Sequence, residues 1–583
     1  MRETISRHLA EAAAQTPDET AFTFVDFTTH RDGVPATLTW RQLEDRVRAA
    51  ATGIRDAAVA GGRVAIVAPQ SLEYVVGFLA ALCAGVIAVP LYPPSLRGHE
   101  EKLLAALKDA DPVLVITAPE HQQAVEKFCA DRAGLSVRVV TVEELRTVAP
   151  ANGQVFHPQP DDCAYLQYTS GSTRAPSGVE ITHANVCANA RQALEALDIA
   201  AGRNCTVGWL PLYHDMGLVL AVALPIVGRV HSVLMDPLAF VQQPVRWLQL
   251  LTEHSGAVTA APNFAYDYCV HRVAEQERKE LSLGSVAAMI NGSEPITEQT
   301  LQRFQGAFAP VGLAATAMRP SYGLAEATVF VCTSPGGQEP TVTCFERDAL
   351  ADGVARLARS GDAGAVTRLV ACGRPTGQQI AIVDPLTRVR REGGHVGEIW
   401  LRGPNIGRGY WRHPQQSLAT FRATLGSDDP DSTQGWLRTG DLGVWHDEQL
   451  YITGRIKDLV IIDGANHYPQ DIEQTVESAH PAIRRHHTAA FSVATQNGER
   501  LVVVAEHSRD LAEPKSVLKE ATRAVRAAVA AGHAVAVHDF VLAQPGAVPR
   551  TTSGKIARSA CREHYLQGAW RPGTQARKEA GTA

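Results

Sequence analysis

The chain is 583 residues long, several times the usual size of one domain, so its length predicts a multidomain protein or one large domain carrying a smaller appendage. A formal net charge of -6 with no Lys/Arg block excludes a basic nucleic-acid footprint, and nucleic acid is not expected as a partner. The ten cysteines stand singly, with no C-x-x-C pair and no Cys/His grouping at zinc spacing, which fits a reducing, cytoplasmic setting and argues against a structural metal.

Residues 1–14 read as a polar amphipathic helix whose charges interrupt the apolar run that a secretory signal needs. Strand-like β-branched runs at 63–67, 113–117 and 137–140 alternate with segments of helical period, which predicts an α/β protein built from strand–helix units around a parallel sheet. Residues 75–92 are nearly free of polar groups and approach membrane-spanning length, but Gly77, Gly85 and Pro90 interrupt them. A break at Gly85 leaves a short buried helix and then a strand at 86–89, ending in a Pro-rich turn at 90–95, so no integral membrane segment is expected.

A strand-like run at 163–167 leads into the loop Tyr168-Thr-Ser-Gly-Ser-Thr-Arg-Ala-Pro-Ser-Gly-Val179, with a helical segment beginning near Thr182. Such a loop can wrap polyphosphate with backbone N–H groups and hydroxyls, or it can be a plain polar turn. It is not a Walker A motif, and the chain holds no G-x-G-x-x-G and no G-x-S-x-G, so the nearest look-alikes fail. The apolar, small-residue run at 217–227 would let an alkyl chain approach a helix backbone, although such a stripe also suits a core. After Trp445 the texture changes: a strand at 450–452, then Gly454-Arg-Ile-Lys-Asp458, an apolar run at 459–462 and a turn at 463–464. The remainder, about a hundred residues, has the size of a small domain. The junction is placed near Lys457, giving a large domain at 1–456, a small one at 457–570 and a polar tail at 571–583 that is expected to be disordered.

Taken with Tyr322-Gly-Leu-Ala-Glu326, Thr439-Gly-Asp441, Gly454-Arg-Ile-Lys-Asp458 and Thr552-Ser-Gly-Lys555, the loop at 168–179 resembles the adenylate-forming superfamily of acyl-CoA synthetases, peptide-synthetase adenylation domains and luciferases. Five separated motifs stand in order over nearly the whole chain. Trp209-Leu-Pro-Leu-Tyr-His-Asp-Met-Gly217, Asp236-Pro-Leu-Ala-Phe240, Ala261-Pro-Asn-Phe-Ala-Tyr266, Asn291-Gly-Ser-Glu-Pro295 and Ala325-Glu-Ala-Thr-Val-Phe330 resemble the narrower fatty acyl-AMP ligase branch.

That resemblance implies a large N-terminal domain of α/β subdomains and a small mobile C-terminal α+β domain. It implies activation of a fatty acid by ATP and Mg²⁺ to an acyl-adenylate with release of pyrophosphate, then transfer to the phosphopantetheine thiol of an acyl carrier protein or polyketide synthase. Lys555 would reach the carboxylate and the α-phosphate, and His214 would orient the acid. Thr169, Ser170, Gly171, Ser172, Thr173 and Arg174 would hold the phosphates. Gly292, Ser293, Glu294 and Pro295, with Ser321, Tyr322, Gly323, Leu324 and Ala325, would flank adenine, Tyr322 offering a stacking face. Asp441 and Arg455 would hold the ribose, Glu326 the magnesium ion, Asn263 and Phe264 the acyl group, and Lys457 would be the hinge.

Two departures stand out. Most members of the superfamily carry a lysine where this chain has Ser177 and a glycine where it has Arg174, which leaves the triphosphate contact open, with Arg174 a candidate for the missing cation although its guanidinium is not interchangeable with an ammonium. Residues 341–368, within a stretch long for a loop, occupy the place of an insertion that acyl-AMP ligases carry and acyl-CoA synthetases lack, and which restrains the small domain in that branch. The competing readings are an ordinary fatty acyl-CoA synthetase, separable by a CoA assay, and a catalytically silent adenylate-binding or scaffold protein, separable by acid-dependent pyrophosphate release.

Overall fold

A computed structural model describes residues 3–96, 99–147, 156–168, 177–359, 366–426, 429–431, 433, 435–462, 465–495, 498–509, 511, 514–551 and 554–570. The candidate phosphate loop at 169–174 and the tail at 571–583 lie outside these residues.

The first third supplies six strands of a seven-stranded sheet, Gly409–Tyr410 being the other, and in its parallel part Ile87–Leu91, Arg63–Val67, Leu114–Thr117 and Arg138–Thr141 lie side by side. Covered on both faces, such strands need apolar residues at successive positions rather than alternate ones, and Ile87–Leu91 is buried throughout. The apolar stretch expected to break at Gly85 does so, the helix Leu72–Ala84 ending there. The strand that follows runs on through Pro90 to Leu91 instead of turning. Pro90 is tolerated because the strand is registered with Cys163–Tyr168 only at Ala88 and Tyr165, so on that side no ladder bond is required of its missing N–H.

Cys163–Tyr168 pairs antiparallel with Gly178–Thr182, so the loop at 168–179 joins two strands of a hairpin and does not run directly into a helix. The helix His183–Ala196 begins only after this second strand. It is started by a reciprocal cap in which Thr182 Oγ1 accepts from the Asn185 N–H and Asn185 Oδ1 from the Thr182 N–H.

A nine-stranded sheet follows, parallel through Thr20–Asp26, His231–Met235, Cys205–Gly208, Ala257–Pro262, Ala288–Gly292 and Met318–Gly323. The last three strands release the chain at one edge of the sheet, the place where open parallel sheets bind ligands. The small-residue run at 217–227 is a buried helical segment, Asp215–Leu218, Val219–Ala223 and Leu224–Gly228, its middle turn widened to a π-helix.

The stretch expected as an unusual loop has structure of its own. Val342–Glu346 and Val366–Val370 pair as an antiparallel hairpin, with the short helix Arg347–Ala351 between them. A four-stranded antiparallel sheet, Gln379–Val383, Gly397–Arg402, Leu437–His446 and Gln449–Arg455, comes next. From Val460 onward a separate apolar core forms around Ile472, Val476, Val503, Val525 and Val529. It is enclosed by the sheet Ile483–Thr495, Gly498–His507 and Val537–Ala543 and by the helices Pro469–Ala479 and Pro514–His533, while the helix Arg558–Leu566 packs through Cys561 on the other face of that sheet. No helix of the described residues is long and apolar enough to cross a membrane.

Candidate active site

A cavity of about 1160 Å³ opens where the parallel strands of the second sheet end, and residues of the four-stranded sheet and of the C-terminal core close it. Ser177, His214, Glu326, Asp441, Arg455, Lys457 and Lys555 all border it.

Strand pairing sets one wall. Asp441 and Arg455 are direct partners across the turn joining Leu437–His446 to Gln449–Arg455, and Asp441 Oδ1 lies 2.6 Å from Arg455 Nε. The other carboxylate oxygen accepts the Tyr322 hydroxyl at 2.7 Å. Tyr322, expected to offer only a ring face, thus also fixes the carboxylate. Burial first, then Asp441, drives the Tyr322 phenol well above its ordinary pKa, so it stays a donor. Arg455 is held charged chiefly by Asp441. Lys457, next along, has its pKa lowered by burial and then by Arg455.

The segments expected around adenine lie together beside this wall. Gly323 comes so close to the Val329 carbonyl that a β-carbon there would stand 1.8 Å from its oxygen, so no larger residue fits. Glu294 also borders the cavity, and its Oε1 accepts the Phe264 N–H at 2.6 Å, tying the loop after Ala288–Gly292 to the start of the helix Asn263–Arg272. Asn263 borders the cavity, but its amide is engaged inside the wall, Oδ1 accepting from Asn291 Nδ2 at 3.2 Å and Nδ2 donating to Thr300 Oγ1 at 3.1 Å. Phe264, Met216, Leu220, Ile290 and Ile296 supply apolar lining.

Glu326 sits on the one-turn 3-10 helix Ala325–Ala327 and accepts the Tyr410 hydroxyl at 2.8 Å. Burial raises its pKa in spite of that bond. His214 Nδ1 lies 2.6 Å from Asp215 Oδ1. Burial alone would raise the Asp215 carboxyl, but His214, Lys555 and the Met216 N–H together hold it below the ordinary range.

Lys555 enters from the C-terminal core on a tight turn: the Thr551 N–H donates to the Lys555 carbonyl at 2.8 Å and the Lys555 N–H to Thr551 Oγ1 at 3.1 Å. Burial, then Arg455, lowers its pKa against the pull of Asp215, Glu294 and Asp441. A cation so desolvated attracts an anion far more strongly than one in water. Tyr410 and Asp267 are polar groups of this region that the sequence reading did not single out. The tyrosine stands two residues past Arg408 in a stretch without a motif of its own, and Asp267 is hidden on an ordinary helix.

A mixed α/β chain that converges a lysine, a carboxylate–arginine pair and a half-buried glutamate on one cavity is built to handle a nucleotide and an anionic co-substrate. Residues 9–411 match the AMP-binding enzyme family, and the chain belongs to that family. Residues 457–574 match the Disco-interacting protein 2-like AMP domain. The chain is 42% identical over 568 residues to the 4-hydroxyphenylalkanoate adenylyltransferase of Mycobacterium tuberculosis, covering 96% of this chain and 91% of that one. It is also 42% identical to the long-chain-fatty-acid–AMP ligase FadD26 of Mycobacterium marinum, over 96% of both chains. Among solved structures, one from a study of fatty acyl-adenylate ligases of E. coli and L. pneumophila matches at 32% identity with a TM-score of 0.86, over 97% of this chain and 98% of that one. The L. pneumophila fatty acyl-adenylate ligase in complex with acyl adenylate and pyrophosphate matches at 32% identity with a TM-score of 0.74, over 97% and 96%.

Proposed function

We propose that this enzyme is a fatty acyl-AMP ligase, which joins a fatty acid to the α-phosphate of ATP, releases pyrophosphate and passes the acyl group to the phosphopantetheine thiol of an acyl carrier protein or polyketide synthase. The observation that carries the reading is the placement of the half-buried Lys555 within the influence of Asp215, Glu294 and Asp441, on the lining of a cavity that also has apolar walls. The acid's carboxylate and the α-phosphate are both anionic, so attack requires a cation between them. Lys555 is that cation. His214, fixed by Asp215, orients the carboxylate, and the alkyl chain lies along Met216, Leu220 and Phe264.

Asp441 accepts the ribose hydroxyls, with Arg455 and Tyr322 holding its two oxygens in place. Gly292, Ser293, Pro295 and the Ser321–Ala325 segment flank adenine, and Thr169 to Thr173 with Arg174 take the phosphates. Glu326 fits a magnesium ion: it is a hard oxygen ligand whose surroundings disfavour its negative charge, which a cation would offset, and phosphate and water oxygens would complete the shell. When bound, that ion neutralises phosphate charge. Residues 1–456 and 457–570 form the large and small domains, hinged at Lys457.

The hairpin Val342–Glu346/Val366–Val370 supports the ligase reading over CoA synthesis. Thr367 Oγ1 donates to Asp471 Oδ2 at 3.2 Å and Arg347 to the Gly532 carbonyl, so the hairpin ties the C-terminal core down. A second reading takes a 4-hydroxyphenylalkanoate as the acid, favoured by the equal 42% identity of a relative so named.

The test is pyrophosphate release. It should depend on added fatty acid and fall by at least about a thousandfold in Lys555→Ala, the scale on which removing one aimed electrostatic group acts. Release that is independent of acid, or undiminished in the variant, would refute the reading.

A further inference from the structure

We propose that His486 is a positioning residue that docks the Lys555 turn onto the helix Asn263–Arg272 for the adenylation step. This rests on the proposed function above. The contact joins two regions 219 residues apart in the chain: His486 Nε2 lies 2.7 Å from Asp267 Oδ2.

Three features aim His486 at that carboxylate. The ladder between Ile483–Thr495 and Gly498–His507 breaks between Ile483 and Thr488, and such a bulge re-aims a side chain away from its own sheet. His486 also has φ +59, a left-handed conformation that persists in a side-chain-bearing residue only where the surroundings hold it. Its partner is rigid: the buried Asp267 takes two bonds from Arg303, at 2.8 and 2.7 Å, and one from Thr300 Oγ1 at 2.7 Å.

The same bulge is tied to the lysine turn. Arg550 donates through one guanidinium nitrogen to the His486 carbonyl and through the other to the Gly554 carbonyl. Gly554, at φ +83, lies against Phe264, where a β-carbon would stand 3.2 Å from the ring. Phe264 and Asp267 are three residues apart and therefore neighbours on one helix face. The turn thus rests on this helix at two points, the Phe264 ring beneath Gly554 and the Asp267 carboxylate beneath His486. Burial alone would lower the imidazolium's pKa, but Asp267, Glu477 and Glu294 hold it above its ordinary value, so the contact is charge-assisted.

His486→Asn tolerates the left-handed backbone but is one bond too short to reach Asp267, whereas His486→Gln places an amide donor at the reach of Nε2. In the full-length enzyme, His486→Asn should lower kcat for acid-dependent pyrophosphate release about tenfold or more, the weight of one charge-assisted hydrogen bond. KM for ATP and for the acid should stay unchanged, because the His486 side chain is bonded to Asp267 and, among the described residues, to no group assigned to either substrate, and transfer from preformed acyl-adenylate should not slow. His486→Gln should recover most of the loss. Wild-type kcat in His486→Asn, or a defect shared equally by both steps and by the Gln variant, would overturn the proposal. A wild-type enzyme that releases no pyrophosphate with any acid would instead strike down the adenylation reading itself.

Discussion

At the scale of single residues, the phosphate end of the site carries the sharpest question. Ser177 borders the cavity where most of the superfamily has a lysine, and a hydroxyl supplies no charge against a triphosphate. If Arg174 replaces it, Arg174→Ala should raise the KM for ATP about tenfold or more, the loss of one hydrogen bond to a charged group, with the KM for the acid unmoved. An unchanged KM in steady-state kinetics would show that the phosphates are held otherwise. That the residues assigned to ribose, adenine and catalysis border one cavity was legible in the sequence, because ligand chemistry, not packing, dictates residue type on loops at strand ends. The support beneath them was not. The bond from the Phe264 N–H to Glu294 has no signature in sequence order, and Tyr410 gains meaning only from the 2.8 Å bond that places it on Glu326.

At the scale of elements, the hairpin Val342–Glu346/Val366–Val370 meets the helix Pro469–Ala479 through Thr367 and Asp471. Burial pushes the Asp471 carboxyl from its ordinary 3.8 up to about 6. The folded protein therefore holds this proton more tightly than the unfolded chain, and the associated stability is complete below 3.8 and lost as pH rises through about 6. Asp471→Asn cannot ionise but can still accept from Thr367. Its Tm should match the wild type at the acid end and exceed it by a few degrees above about pH 6, as expected for a change of about 1 kcal/mol or more in a large chain. A Tm difference that does not vary with pH would contradict this. Element types were readable from apolar runs, while two boundaries were not. The strand Gly178–Thr182 is five residues long and abuts a helix cap, so its signal merges with the helix, and Pro90 continues a strand because pairing on one side is sparse there.

At the scale of the whole molecule, Lys555, the proposed catalytic lysine, is delivered from the C-terminal region to a cavity walled by the rest of the chain, and the contacts that seat it span the sequence. Their residues are ordinary types on ordinary elements, which is why the His486–Asp267 pair, 219 residues apart, has no signature in sequence order. The hairpin, the lysine turn and the helix Asn263–Arg272 together tie the C-terminal core to the rest of the chain, in what we propose is the adenylate-forming orientation. The direct test is mass spectrometry of the products made from ATP, magnesium, CoA and a mixture of fatty acids and 4-hydroxyphenylalkanoates. Fatty acyl-adenylates with little acyl-CoA are predicted; acyl-CoA as the main product, or no fatty acyl-adenylate at all, would contradict the account.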